Sequence, residues 1–195
     1  MSQLEQINIS ENVLMRLIKC ERYFELCTGH KGHFWPIVQN SVGESACLFW
    51  CHIFGNREDN VHYSQFFKNE ERAGFTIKEV KSRMLKAIDL DEGEYFKFWV
   101  SVKDCRDKFV SHKELRASVI FPEINKCRLQ AEELRRILAE YATLVDSEAP
   151  ESGWNIWVEY YGGQWLLNHQ FETECSREFE RGITSLAHEL TSKTE

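Results

Sequence analysis

Hydrophobic positions recur at helical spacing along most of the chain up to about residue 147. The first such segment predicts a helix that begins at Ser10, as its N-cap, and ends at about Thr28. A second helix should follow Pro36, a residue that suits the first turn of a helix. Near its end this segment is apolar on almost every side, so we expect it to be central and well buried.

Three further helices follow, two of them with capping signals. Thr76 with Glu79, and Asp91 with Glu94, have the spacing of capping boxes. Pro122 should open the fifth helix. A single helical turn is also expected at 63–67. The apolar stripes of the three helices are, in order, Ile77, Val80, Met84 and Ile88; Tyr95, Phe98, Trp99, Val102, Cys105 and Phe109; and Cys127, Ala131, Leu134, Leu138, Tyr141 and Val145.

The pattern changes over residues 151–171, where apolar and polar residues alternate before a Gly-Gly pair. This segment predicts either a hairpin or a short helix that leads into a last helix at about 172–191. Taken together, the elements predict an all-α fold, a bundle of about five to six helices. We expect one domain over 1–195, with a core at about 8–147 and a C-terminal extension at 148–195.

Composition narrows the class of protein. The net charge of −7 argues against a chain that is basic throughout, although it permits a local basic groove. No run approaches 18 apolar residues, and the first residues lack a secretory signal, so we expect no membrane span. Seven dispersed cysteines, an odd number, indicate reduced thiols packed as small apolar groups in a cytoplasmic protein.

The segment that carries candidate chemistry is RDKFVSH, residues 106–112, late in the fourth predicted helix. On an ideal helix Arg106 and His112 lie about 60° to either side of the stripe residue Phe109, and ~9 Å apart along the axis. One straight helix therefore does not bring both side chains onto a single phosphate. Two copies packed about a twofold axis would do so, which predicts a homodimer.

Arginine and histidine suit phosphodiester chemistry. A guanidinium binds phosphate oxygens in a fork and keeps its charge, and a histidine can move a proton near neutral pH. The surroundings are basic, since residues 97–116 hold six lysines and arginines against three acids. We take Lys103, Lys108 and Lys113 as candidate RNA-binding residues. The alternative is that Arg106 and His112 only favour the helix C-terminus, with Asp104–Lys108 and Lys103–Asp107 as ordinary ion pairs.

Arg106 and His112, with the polar Asp107 directly after the arginine, resemble the Arg-x(4–6)-His motif of the HEPN superfamily. The form Arg-Asp-Lys, then apolar residues, then histidine is similar to the abortive-infection branch of that superfamily, and the resemblance covers about residues 8–147. It implies a metal-independent endoribonuclease of phage defence or of a toxin–antitoxin pair, which acts as a homodimer and has an antitoxin or defence-system partner. Arg106 would bind the scissile phosphate, and His112 would assist attack by the 2′-hydroxyl to leave a cyclic phosphate. Asp107 takes the family's polar position, where asparagine is commoner, and ideal-helix geometry turns it away from the apolar stripe.

Three other interpretations stay open. HEPN-like proteins also include non-catalytic modules that dimerise or bind a nucleic acid or a partner. Cys27, His30 and His33, with Cys47 and Cys51 one helical turn apart further on, are spaced as zinc ligands could be. Core thiols and loop histidines explain them better, so we expect no metal and no cofactor. The aromatic residues of 154–165 could stack on bases, although such density favours a core or an interface.

Overall fold

The computed structural model describes residues 3–30, 34–108 and 120–148, and the helical residues 177, 181–182 and 184–185. The chain divides into two compact units, Met1–Tyr141 and Ala142–Glu195. The segment predicted as a hairpin or short helix at 151–171 lies outside the described residues, and the extent of the domain stays a prediction.

The described residues form six α-helices and no strand, so the prediction of an all-α bundle of five to six helices is confirmed. The elements are α1 (Gln3–Cys27), α2 (Phe34–Trp50), α3 (Tyr63–Phe66), α4 (Ile77–Ala87), α5 (Glu92–Arg106) and α6 (Ile124–Glu148). A π-helical turn, Cys51–Gly55, continues α2 directly. No helix within these described ranges is both long and apolar enough to cross a bilayer.

Helix α1 begins earlier than the sequence predicts, and Ser10 is not its N-cap. Ser10 lies inside the helix, fully buried, and its hydroxyl donates to the carbonyl of Gln6 at 2.8 Å. A serine can satisfy its hydroxyl on the carbonyl four residues back, so a serine before an apolar run does not by itself mark a helix start. Helix α1 packs extensively against α2.

The end of α2 lies in the core, as predicted. Trp50 is fully buried, and its indole nitrogen donates to Oε1 of Gln130 on α6 at 2.9 Å. The amide of Gln130 donates in turn to the hydroxyl of Tyr95 on α5 at 3.2 Å. One polar chain of contacts therefore joins α2, α5 and α6 inside an otherwise apolar centre, and burial without such partners would be costly.

Both predicted capping boxes are present. The backbone N–H of Glu79 donates to Thr76 at 3.4 Å, and that of Glu94 donates to Asp91 at 2.8 Å. In each case the glutamate accepts a hydrogen bond from the backbone of the cap residue. The caps fix the starts of α4 and α5. Helix α6 starts at Ile124, two residues after the predicted Pro122.

Ion pairs join α6 to its neighbours. Arg135 donates to Glu11 on α1 at 2.6 Å, and Arg128 lies 2.9 Å from the fully buried Glu21. Burial raises the pKa of Glu21 to about 7, because it outweighs the attraction of Arg128. Arg83 on α4 donates to two glutamates of α6. These contacts fix α1 and α4 against α6.

Candidate functional site

Arg106 is the last residue of α5, and Asp107 is its C-cap. The Arg106 side chain is about three-quarters buried, with 26% of its surface exposed. Its Nε donates to Oδ1 of Asp107 at 2.8 Å, and Nη2 lies 2.6 Å from the same oxygen. The structure therefore brings two of the three predicted catalytic residues together, as a neighbouring ion pair at the end of the helix.

Arg106 also faces the π-helical turn. Its guanidinium and the buried thiol of Cys51 interact, and the two groups shift each other's titration. Burial raises the pKa of Cys51 to about 11, although Arg106 and Lys103 lower it. Burial alone would lower the pKa of Arg106, but the hydrogen bond with Asp107 and the nearby thiol raise it. Arg106 is a permanent cation beside a neutral thiol.

Lys103, a predicted binding residue, lies one helical turn before Arg106 and lines a groove of about 520 Å³. Its ammonium nitrogen is 4.2 Å from the centroid of the Trp99 ring, a cation–π contact. The Lys103–Asp107 ion pair that the sequence offered as an alternative is not formed: Asp107 bonds Arg106 and Lys103 covers Trp99.

The groove has an aromatic wall. The Trp99 indole nitrogen donates to the carbonyl of Phe54 at 3.2 Å, which fixes the ring against the π-helical turn. Phe96 lies nearly parallel to Trp99, with 15° between the planes and 6.2 Å between the centroids. Phe96 is 63% exposed, an unusual position for a large aromatic side chain.

The groove lining carries three cations, Arg57, Lys81 and Lys103, and two carboxylates, Glu58 and Glu92, which leaves a net charge of +1. Lys81 donates to Glu92 at 2.9 Å, so these two charges compensate each other. Arg57 is exposed, and neither Arg57 nor Lys103 has a carboxylate at salt-bridge distance among the residues that the structure describes. The groove can therefore offer two cations and a ring surface to an anionic ligand.

His62 also lines the groove, but its role is structural. Its Nδ1 accepts from the backbone N–H of Ser64 at 3.2 Å and lies 2.8 Å from the Ser64 hydroxyl, which makes it the N-cap of α3. Burial lowers its pKa to about 4. His62 is thus neutral at physiological pH and cannot serve there as a proton donor.

The remaining predicted site residues divide into two groups. Lys108 is exposed and follows Asp107 directly. His112, Lys113 and the stripe residue Phe109 lie outside the described residues, as does the aromatic run at 154–165. The convergence of Arg106 with His112 stays a prediction.

Of the residues that line the groove, the sequence predicts only Lys103 as a binding residue, and its role stays a prediction. The sequence pattern places Trp99 on the apolar stripe of its helix, and Arg57 lies in the segment between α2 and α3, where no site residue is predicted. A signal was available in the helix itself, because a lysine four residues after a tryptophan lies over the ring. The contribution of Arg57 depends on a fold contact and has no such local signal.

The thiols are mostly in the core, as predicted. Cys27, Cys47, Cys51, Cys105 and Cys127 are buried and free. The sulfurs of Cys47 and Cys105 are 3.4 Å apart. His30 packs its ring on Trp35 with 5.0 Å between centroids, and His33 is outside the described residues. The described ranges contain no group of three or more metal-ligating side chains placed to hold an ion.

No protein-family model matches this chain, and no curated protein and no solved structure matches it.

Proposed function

We propose that this protein is a metal-independent endoribonuclease of the HEPN type, in which Arg106 binds the scissile phosphate. The observation that carries the proposal is the position of Arg106, a partly exposed, permanently charged side chain at the end of α5. It lies one turn beyond Lys103, whose groove is basic and aromatic. Cations bind phosphates and rings stack on bases, so this combination suits RNA.

The chemistry of the proposal uses Arg106 and His112. The guanidinium would neutralise charge that builds on the phosphate oxygens, and His112 would move the proton of the attacking 2′-hydroxyl. The 2′-oxygen would form a bond to phosphorus as the bond from phosphorus to the 5′-oxygen breaks, and the proton would pass to that 5′-oxygen, so the products would be a cyclic phosphate and a free 5′-hydroxyl. The resemblance of the motif to the HEPN superfamily supports a homodimer that joins two copies of the site, and an antitoxin or defence-system partner. The free thiols support action in the cytoplasm.

The test is cleavage of total RNA in EDTA. The proposal predicts that wild type fragments the RNA, whereas Arg106→Ala and His112→Ala leave it intact. Arg22→Ala is the matched control, because Arg22 is an exposed arginine on α1 with only a 3.7 Å ion pair to Glu25. Identical cleavage traces for wild type and the two site variants would refute the proposal that the protein is a ribonuclease.

A second candidate is a non-catalytic RNA-binding or partner-binding module. The ion pair of Arg106 with Asp107 favours it, since the carboxylate occupies the guanidinium that a phosphate would need. Asp107→Asn separates the candidates. In an enzyme restrained by this pair, the variant should cleave RNA faster than wild type. In a module, the variant should bind RNA without cleaving it.

A further inference from the structure

We propose that the groove beside α5 holds one unpaired base of a single-stranded RNA, with Phe96 as the stacking surface and with Arg57 and Lys103 on the flanking phosphates. This inference rests on the proposed function for the identity of its ligand. It adds a subsite and a preference for single strands that the Arg106–His112 pair does not supply.

The aromatic wall of the groove offers a surface on which a base can stack. Phe96 is 63% exposed although it packs against Trp99 on one side. The indole of Trp99 is itself held by the carbonyl of Phe54 and covered by Lys103, so it supports Phe96 without offering a free face of its own. An exposed ring backed by a fixed ring is a stacking platform, and every base can use it because every base has a π-face.

The groove also carries cations that could bind phosphates on either side of the base. Arg57 and Lys103 border the same groove as Phe96, and the groove's other lysine, Lys81, is already paired with Glu92. These two cations outnumber the one remaining carboxylate of the lining, Glu58, and so favour a ligand that carries negative charge next to its ring. The volume of about 520 Å³ lies within the range of small-ligand sites and suits one nucleotide unit of a strand.

The groove lies close to Arg106 along α5. Lys103 and Arg106 are three residues apart on α5, which is ~4.5 Å along a helix axis. A base in the groove would therefore neighbour the phosphate that Arg106 is proposed to bind. Bases in a duplex are stacked on one another and cannot enter such a groove, so the subsite selects unpaired RNA.

The experiment measures RNA binding by variants that also carry His112→Ala, a substitution expected to abolish the proposed cleavage so that the RNA stays intact. Fluorescence anisotropy gives the Kd of the full chain for a labelled single-stranded RNA and for the duplex of the same sequence. Phe96→Ala should weaken single-strand binding ~5- to 150-fold, the usual contribution of one stacked base, and leave duplex binding unchanged. Phe34→Ala removes a comparably exposed ring from α2 and is the matched control, with no change expected.

A second pair of variants tests the charges. Lys103→Gln should reduce the dependence of log Kd on log salt by about one phosphate contact. Lys97→Gln makes the same charge change at an exposed position of α5 outside the groove and should leave the slope unaltered. Thermal melting of each variant checks that it is folded.

Binding by Phe96→Ala and Lys103→Gln that equals that of the parent would overturn the inference. So would equal losses for the single strand and the duplex. These failures are distinct from failure of the proposed function. If wild type cleaves RNA in EDTA while Phe96→Ala binds normally, only the groove is wrong. If Phe96→Ala weakens single-strand binding while wild type never cleaves, the groove stands and the cleavage does not.

Discussion

Gly43 on α2 allows a close contact that a single methyl group should break. A Cβ atom built on Gly43 would lie 2.7 Å and 2.9 Å from two ring carbons of Phe121, and 3.0 Å from Phe24. The two rings pack edge to face with 5.3 Å between centroids, so neither can retreat without losing the other. Gly43→Ala should therefore force the segment around Phe121 away from α2.

The magnitude follows from two opposing terms. Alanine is favoured over glycine inside a helix by ~0.8–1.0 kcal/mol. Overpacking of a filled site typically costs ~1–3 kcal/mol. Because contacts below 3.0 Å fall on ring carbons, we expect the second term to win, with a net loss of up to ~2 kcal/mol in the free energy of unfolding.

The assay is urea unfolding of the full chain, in which the dependence of the free energy of unfolding on urea concentration should be the same for wild type and variant. Gly93→Ala is the matched control, because its Cβ would meet only a carboxylate oxygen of Asp91, at 3.4 Å. That variant should be as stable as wild type or slightly more stable. If Gly43→Ala were as stable as Gly93→Ala, the close packing of Phe121 on α2 would be refuted.

Three further predictions follow from particular contacts. Burial raises the pKa of Glu21 from 4.5 to about 7, so between these pH values the folded chain holds a proton that the unfolded chain releases. Wild type should therefore lose stability relative to Glu21→Gln as pH rises from 4.5 to about 7. A pH-independent difference between the two in urea unfolding would contradict this. Thr76→Ala removes the N-cap of α4 and should lower the free energy of unfolding by ~1 kcal/mol, whereas Lys78→Ala, at an exposed position of the same helix, should change it little. Asp107→Asn removes the charge that holds Arg106 and should tighten single-stranded RNA binding ~1.4- to 5-fold, the value of an exposed ion pair; weaker binding in an anisotropy titration would mean that Asp107 orients Arg106 productively.

Local signals in the sequence were sufficient for much of the fold. The capping boxes at Thr76 and Asp91 were found because their partners are three residues away. Most of the core positions predicted for α4, α5 and α6 are buried, because helical periodicity places them on one face. The prediction that Ser10 caps α1 was wrong, because its hydroxyl donates a hydrogen bond to the carbonyl of Gln6 inside the helix.

The candidate site was predictable only in part. Lys103 and Arg106 belong to one helix and one charge pattern, and both were predicted. The ion pair of Arg106 with Asp107 was not, because it depends on the rotamers at a helix end. The groove joins Arg57, Phe96 and Lys103, and Arg57 comes from a loop far from α5 in sequence, so no local pattern contains it.

We propose that Arg106 acts on the phosphate of RNA without a metal. The most direct test is the initial rate at which purified protein cleaves a labelled single-stranded RNA in EDTA, with the new 3′ ends identified by mass spectrometry. The account predicts cyclic phosphate ends, and a rate that falls ~10²- to 10³-fold in Arg106→Ala and stays unchanged in Arg22→Ala. Equal rates in wild type and Arg106→Ala, or RNA left intact by both, would contradict it.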